Sequence, residues 1–297
     1  RSWDLPLKRS DTGKGIKKML ANLNDVLIPA RRGGYAVGLF NTTDTDMLEA
    51  VIGAAEHTHS PVIIGTAEVL LPYGELKLIA PSLLAAAKRA TVPVVLHYDH
   101  GLTLERCLEA LELGFSSIMF DGSAKATREE NINLTCEAVR MAHLRGATVE
   151  GEIGHVGEAA HGDGDTSDMY TTPDEAEEFV KKTGVDALAV AIGTAHGAYK
   201  TRPHLDLGRL RAIRDRIDLP LVLHGGSGLS DDDFRNTVRD GIAKINIFTD
   251  LCLAGERGMR EGLAAGEGYL DIRNRKVDAI SAEAERKMRL FGCAGKA

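Results

Sequence analysis

Cysteine is sparse in this 297-residue chain, and its spacing is unpaired: Cys107, Cys136, Cys252 and Cys293 lie far apart and form no CxxC motif. That excludes a disulfide framework and a thiolate zinc site, and it fits a reducing, cytoplasmic setting. No run approaches the roughly 18 apolar residues that span a bilayer, and the N-terminal segment has no apolar h-region. Neither a membrane partner nor an export signal is therefore expected. Basic residues are outnumbered, 36 against 43 acidic, for a net charge of −7. They form no stripe, so nucleic acid is not an expected partner. The first apolar run is not followed by a GxGxxG turn, which argues against a dinucleotide site. Low-complexity segments and interior linkers are also missing.

What the chain does have is repetition. Short Val- and Ile-rich runs recur at residues 35–41, 61–67, 92–99, 116–122, 148–154, 186–193, 219–225 and 242–248. Between them lie segments such as "LTLERCLEALELG", with apolar residues at helical spacing and a closing glycine. Such alternation predicts parallel strands. Eight strand–helix units in about 260 residues match a (β/α)8 TIM barrel in number and size. From about residue 252 the pattern becomes mostly helical, with "DAISAEAERKMRLFG" the clearest amphipathic run, which predicts a C-terminal helical extension. Residues 1–18 are polar and begin without Met, and are expected to be an added or disordered extension; 19–297 are expected to form a single barrel domain.

In such a barrel the reactive groups sit at the C-terminal ends of the strands. The third run ends in His97, Asp99 and His100; His196 follows the sixth, His224 ends the seventh, and Asn246 and Thr249 belong to the eighth. A lone histidine near a strand end is more often a hydrogen-bonded structural residue than a ligand. Three from separate strand ends can instead converge and leave a position open for substrate, as at a catalytic zinc ion. His100, His196 and His224 are the expected ligands, and His97 is read as a structural or supporting residue. Glycines follow two of them, in "HGAYK" and "HGGSG". A single such glycine pair does no more than permit a tight turn. Beside a metal, Gly197, Gly225, Gly226, Ser227, Asn246 and Thr249 could cradle a phosphate with successive backbone N–H groups. A metal ion beside a phosphate suits a phosphorylated carbonyl substrate, with Asp99 placed to move a hydroxyl proton. Aldol chemistry, an enediol isomerase and a metal-dependent hydrolase all fit that set.

The motifs "RRGGYAVGLFN", "LHYDHG", "SSIMFDGS", "VEGEIG", "DALAVAIGTAHGAYK", "LPLVLHGGSGLSDDDF", "GIAKINIFTD" and the terminal "CAGKA" occur in that order from about residue 19 onward. Together they resemble the class II, zinc-dependent ketose-bisphosphate aldolases, the fructose- and tagatose-bisphosphate enzymes, with the tagatose type the closer match. The resemblance implies a lyase that splits a ketose bisphosphate or related ketose phosphate into glycerone phosphate and an aldehyde. It implies Zn2+ on His100, His196 and His224, with Glu152 and Asp121 close to the metal, and Na+ or K+ near the glycines. Asp99 would exchange the hydroxyl proton, Asn41 would contact the substrate chain, and Lys200 would add positive charge. Gly197, Gly225, Ser227, Asn246 and Thr249 would hold the glycerone-phosphate end. Arg273 would reach the second phosphate across a subunit interface, so a homodimer or homotetramer is expected.

Two departures stand out. The family's loop base falls by counting on Ala160, so Glu158, in preference to Asp163, is expected to serve. The eighth run carries Phe248 where fructose-type enzymes have Asp and tagatose-type enzymes often Ala, which bears on the preferred aldehyde. The competing expectations are a phosphosugar-binding or regulatory subunit without turnover, and a metal-dependent isomerase.

Overall fold

The computed structural model describes residues 19–122, 127–154, 157–158, 170–196 and 203–297, with Gly157, Glu158 and His196 described by their backbone alone. All eight expected strands are present: β1 Val37–Asn41, β2 Val62–Ala67, β3 Val94–Gly101, β4 Ser117–Phe120, β5 Thr148–Ile153, β6 Ala187–Val190, β7 Leu221–Leu223 and β8 Ile242–Ile247. Each pairs in parallel with the next in sequence, and β8 pairs with β1, so the sheet closes into a (β/α)8 barrel. Closure removes the unpaired edges that an open sheet would have to protect.

The helices follow from local sequence. Asn22 with Asp25 forms a capping box at α1 (Leu23–Gly33), which ends on Gly34 in the left-handed region at φ 66°. Asp44 caps α2 (Thr45–Thr58), and α3 (Leu76–Arg89) and α4 (Leu104–Glu112) follow β2 and β3. Capping boxes at Thr127, Thr172 and Ser230 open α5 (Arg128–His143), α6 (Pro173–Thr183) and α8 (Asp231–Asp240), with α7 (Leu207–Arg216) between the last two. The C-terminal extension is α9 (Thr249–Ala264) and α10 (Tyr269–Leu290), and α10 packs on both α9 and α2.

The two mouths of the barrel are built differently. At the N-terminal mouth α1 lies across the opening: the amide of Leu23 donates to Thr148 Oγ1, Asn24 to Asp186, and Arg31 to the carbonyls of Ile217 and Leu219. These partners precede or open β5, β6 and β7, while Leu23 and Leu27 are fully buried beneath them. The C-terminal mouth holds the polar residues described next. Among the described residues, no helix is long and apolar enough to cross a membrane. The four cysteines are free thiols.

Candidate active site

Alternation along β3 should send Asp99 and His100 to opposite faces of the sheet. The strand avoids this with a β-bulge: three residue steps, from Tyr98 to Gly101, run against the two from Ile118 to Phe120 on β4. Within the bulge His100 sits in the left-handed region at φ 46°, unusual for a side chain with a Cβ. Such strain costs roughly 1–3 kcal/mol and persists where its surroundings impose it. Its effect is to re-aim His100 inward beside Asp99, a known use of bulges.

His100 and His224 then meet edge to face, with ring centroids 4.6 Å apart. Nε2 of His100 lies 2.8 Å from Nδ1 of His224. The opposite nitrogen of each ring is held by a carboxylate: His100 Nδ1 is 2.8 Å from Asp121, and His224 Nε2 is 2.7 Å from Glu150. A carboxylate only accepts, so each ring carries its N–H on that outer side and turns a lone pair to the shared space between them. Two lone pairs facing at this distance repel unless a cation, a proton or a metal ion, stands at the junction.

The surroundings ask for that cation. Burial would lower the pKa of His100, but Asp99, Asp121 and Glu152 outweigh it and raise the imidazole to about 10. Ligand atoms of Asp99, His100 and His224 all lie within 4.8 Å of one another, as do those of His100, Asp121 and Glu152. Glu152 is buried, with Oε2 3.9 Å from His224 Nδ1. This donor set fits a divalent ion in number and type.

Asp99 is almost fully buried and accepts from two amides: Asn41 at 2.8 Å, and Asn246 at 3.1 Å to both carboxylate oxygens. Burial raises its pKa, yet His100, Lys244, His224 and His97 together hold it well below the usual carboxylate range. It is therefore ionised, aimed, and next to the paired imidazoles. Asn41 Oδ1 is buried and has no protein partner among the described residues, which leaves it open to a ligand hydroxyl.

Beneath this layer the lumen is charged. Lys244 Nζ lies 2.8 Å from Glu150 and donates to Asn246 Oδ1 at 2.7 Å. β5 and β8 are not neighbours, so this contact spans the barrel interior. Burial would raise the pKa of Glu150, but Lys244 and His224 bring it down to about 2. His97 is fully buried, bonded to Ser117 Oγ at 2.8 Å, and 3.7 and 3.9 Å from Asp99 and Glu150. Burial and Lys244 lower it to about 3 despite those carboxylates, so it is a neutral, supporting ring, as the sequence suggests.

At the rim, Gly225 has φ 64°, and a Cβ there would come within 2.3 Å of the carbonyl of Ala195, so glycine is required. Ser227 Oγ accepts from the amides of Phe248 and Asp250 at 3.4 Å, which seats the "HGGSG" turn against the N-terminus of α9, where Thr249 begins the helix. The backbone at Glu158 pairs with His196 in a two-residue ladder, bringing the expected base and the expected third ligand together at the main chain. The side chains of Glu158 and His196, and all of Ala160, Asp163, Gly197 and Lys200, lie outside the described residues. Asn246 reaches Asp99, a contact not foreseen in reading it as a phosphate ligand. Arg273, on α10, bonds Asp46 at 2.8 Å and also Glu49, both on α2 of the same chain.

Two residues of this centre, Glu150 and Lys244, escape the sequence reading. The signal for them is a charged residue two places before another inward-facing polar one, Glu150 before Glu152 and Lys244 before Asn246, inside otherwise apolar strands.

Residues 21–296 match the family model described as "Fructose-bisphosphate aldolase class-II". The chain belongs to this family. Class-II aldolases are lyases that act on carbon–carbon bonds of phosphorylated ketoses, and the family is generally metal-dependent. The chain is 40% identical to a fructose-bisphosphate aldolase of Geobacillus stearothermophilus, over 94% of this chain and 99% of that one. It is 39% identical to a 6-phospho-5-dehydro-2-deoxy-D-gluconate aldolase of Shouchella clausii, over 92% and 94%. The crystal structure of the YdjI aldolase from Escherichia coli K12 superposes with a TM-score of 0.85 at 39% identity, covering 94% of this chain and 99% of that one. The family and the (β/α)8 barrel thus agree with the resemblance read from the motifs.

Proposed function

We propose that this class-II aldolase uses a divalent ion, zinc in the first instance, to cleave a ketose bisphosphate or a related ketose phosphate reversibly into glycerone phosphate and an aldehyde. The observation that carries this reading is the pair of imidazole nitrogens 2.8 Å apart at His100 and His224, each ring fixed from behind by a carboxylate. His100, His196 and His224 would hold the metal, with Glu152 and Asp121 beside it. When bound, the ion supplies Lewis-acid polarisation of the substrate carbonyl.

The protein's own groups do the rest. In cleavage, Asp99 takes the proton from the hydroxyl on the carbon that becomes the aldehyde. That oxygen's electrons form the new C=O as the carbon–carbon pair moves toward the ketone, leaving an enediolate. Asn41 and Asn246 keep Asp99 ionised and aimed for this step, because each donates an N–H to it. Glu158 then returns a proton to the enediolate carbon, yielding glycerone phosphate. Gly197, Gly225, Ser227 and Thr249, with Lys200, would cradle the phosphate at the N-terminus of α9, with Na+ or K+ near the glycines. Arg273 would serve the far phosphate of a neighbouring copy in a dimer or tetramer, once released from Asp46 and Glu49.

The relatives' names differ at the far end of the substrate, a sugar bisphosphate in one case and a phosphorylated sugar acid in the other. The test is accordingly a coupled assay for glycerone phosphate release from fructose 1,6-bisphosphate, tagatose 1,6-bisphosphate, fructose 1-phosphate and 6-phospho-5-dehydro-2-deoxy-D-gluconate. Chelator-sensitive release, restored by zinc, is the expected result. Absence of release from all four, with metal restored, would overturn the assignment in favour of a barrel that binds without cleaving.

A further inference from the structure

A fully buried lysine inside a barrel calls for a reason, since replacing a buried ion pair by apolar side chains of similar volume is often neutral or stabilising. Lys244 is fully buried, and its ammonium is shared between Glu150 at 2.8 Å and Asn246 at 2.7 Å. An ammonium donates and cannot accept. Asn246 must therefore turn Oδ1 toward Lys244 and its NH2 group toward Asp99, as it does at 3.1 Å. On the other branch, the Glu150 carboxylate stands between that ammonium and the His224 ring, 2.8 Å from one and 2.7 Å from the other, and accepts from both. The Nε2 of His224 must then carry its hydrogen there, leaving Nδ1 to face His100 with a lone pair.

We infer that Lys244 is a positioning residue whose ammonium sets the direction of both hydrogen-bond chains, through Asn246 to Asp99 and through Glu150 to His224. It acts through Glu150 and Asn246, the two side chains that hold its ammonium. Its work is to remove the alternatives: a flipped Asn246 amide would point an oxygen at the Asp99 carboxylate, and a Glu150 carboxylate without the ammonium on its other oxygen would be free to turn away from His224 Nε2. Networks of this kind, in which each donor has one permitted acceptor, are rigid because every reversed bond leaves a buried group unsatisfied. In its effect on turnover the inference rests on the aldolase reading above; in its effect on the imidazole pair it does not.

The test compares the wild type with Lys244→Met and with Lys244→Met combined with Glu150→Gln. The single variant leaves a buried carboxylate unpaired and can fail to fold; the double variant removes both charges and keeps the shapes. Cobalt(II) titration followed by the visible absorption of the bound ion reads the His224 branch without any substrate, and kcat against KM reads the Asp99 branch. For the double variant, cobalt affinity should weaken by about 10- to 100-fold with an altered absorption band, as expected when a group supporting a ligand is lost. Its kcat should fall by about 100-fold, a loss within the range of proton-transfer catalysis, with KM held within about threefold. A double variant with wild-type cobalt affinity, spectrum and kcat would overturn the inference. So would a double variant in which kcat recovers along with thermal stability, because Lys244 would then only neutralise Glu150. If the wild type binds cobalt yet cleaves none of the four ketose phosphates, the aldolase reading fails, and the cobalt comparison alone decides the role of Lys244.

Discussion

Among the described residues two lysines are almost fully buried, and they sit in different company. Lys244 stands in the lumen of the barrel, where its partners lead within one further bond to Asp99 and His224. Lys287 stands outside the barrel on α10. It lies 2.5 Å from Asp250 on the first turn of α9 and 4.4 Å from the ring centre of Phe234 on α8. Both ammoniums are paired, as burial demands. The lumen lysine fixes the orientation of groups that can react, whereas the peripheral one holds three helices together. Burial by itself therefore says little about purpose; what decides it is where the chain of partners ends.

The strongest way to sharpen this contrast is at the end of the lumen chain. Asp99→Asn keeps the shape of the side chain and removes the proton acceptor, so kcat should fall by about 10²- to 10⁴-fold with metal content unchanged. Metal analysis beside steady-state kinetics checks it, and retained activity would separate the lumen network from the chemistry. Next comes the peripheral lysine. Lys287→Met strands Asp250 against α10 and should cost about 3–5 kcal/mol in denaturant unfolding, the usual cost of breaking a buried pair. The kcat of the folded fraction should stay at the wild-type value; a comparable drop in kcat would dissolve the distinction.

A smaller effect concerns His97, the neutral ring beside Lys244. Its pKa is lowered from 6.5 to about 3 in the folded protein. The unfolded chain therefore binds a proton there that the native state refuses, and the contribution to stability falls as pH drops from about 6.5 toward 3. His97→Gln should move the midpoint of acid unfolding to lower pH, and an unmoved midpoint would remove His97 from the acid response. The smallest effect concerns the thiols. Burial pushes Cys107 up to about 12 and Cys293 up to about 11. In the folded protein at pH 8 a disulfide reagent should leave both untouched and label only Cys136 and Cys252, because the thiolate is the reactive form.

The strands, the closing of helices on glycine and the clustering of polar residues at strand ends were legible in the sequence because each is a local pattern. His100, His224, Asp99, Glu152 and Asp121 could be placed at one mouth from their positions in those patterns. The bond between Lys244 and Glu150 could not, since 94 positions separate two side chains that meet across the lumen. The inward turn of His100 was hidden for a different reason: it depends on one extra residue in the ladder, and strand alternation read from the sequence points the other way. Asn246 is a case between the two. Its location at the C-terminal mouth was readable, but its choice of Asp99 as partner depends on Lys244 occupying its other side.

The bulge in β3 makes the strand one residue too long for a regular ladder, and so sets comfort against competence. Only Asp99 and His100 lie between Tyr98 and Gly101, so any single deletion that let the pleat run in phase would remove one of the two groups that the bulge brings together. The product of such a deletion should melt at a higher temperature and catalyse nothing. In this protein, selection for stability alone would erase the site.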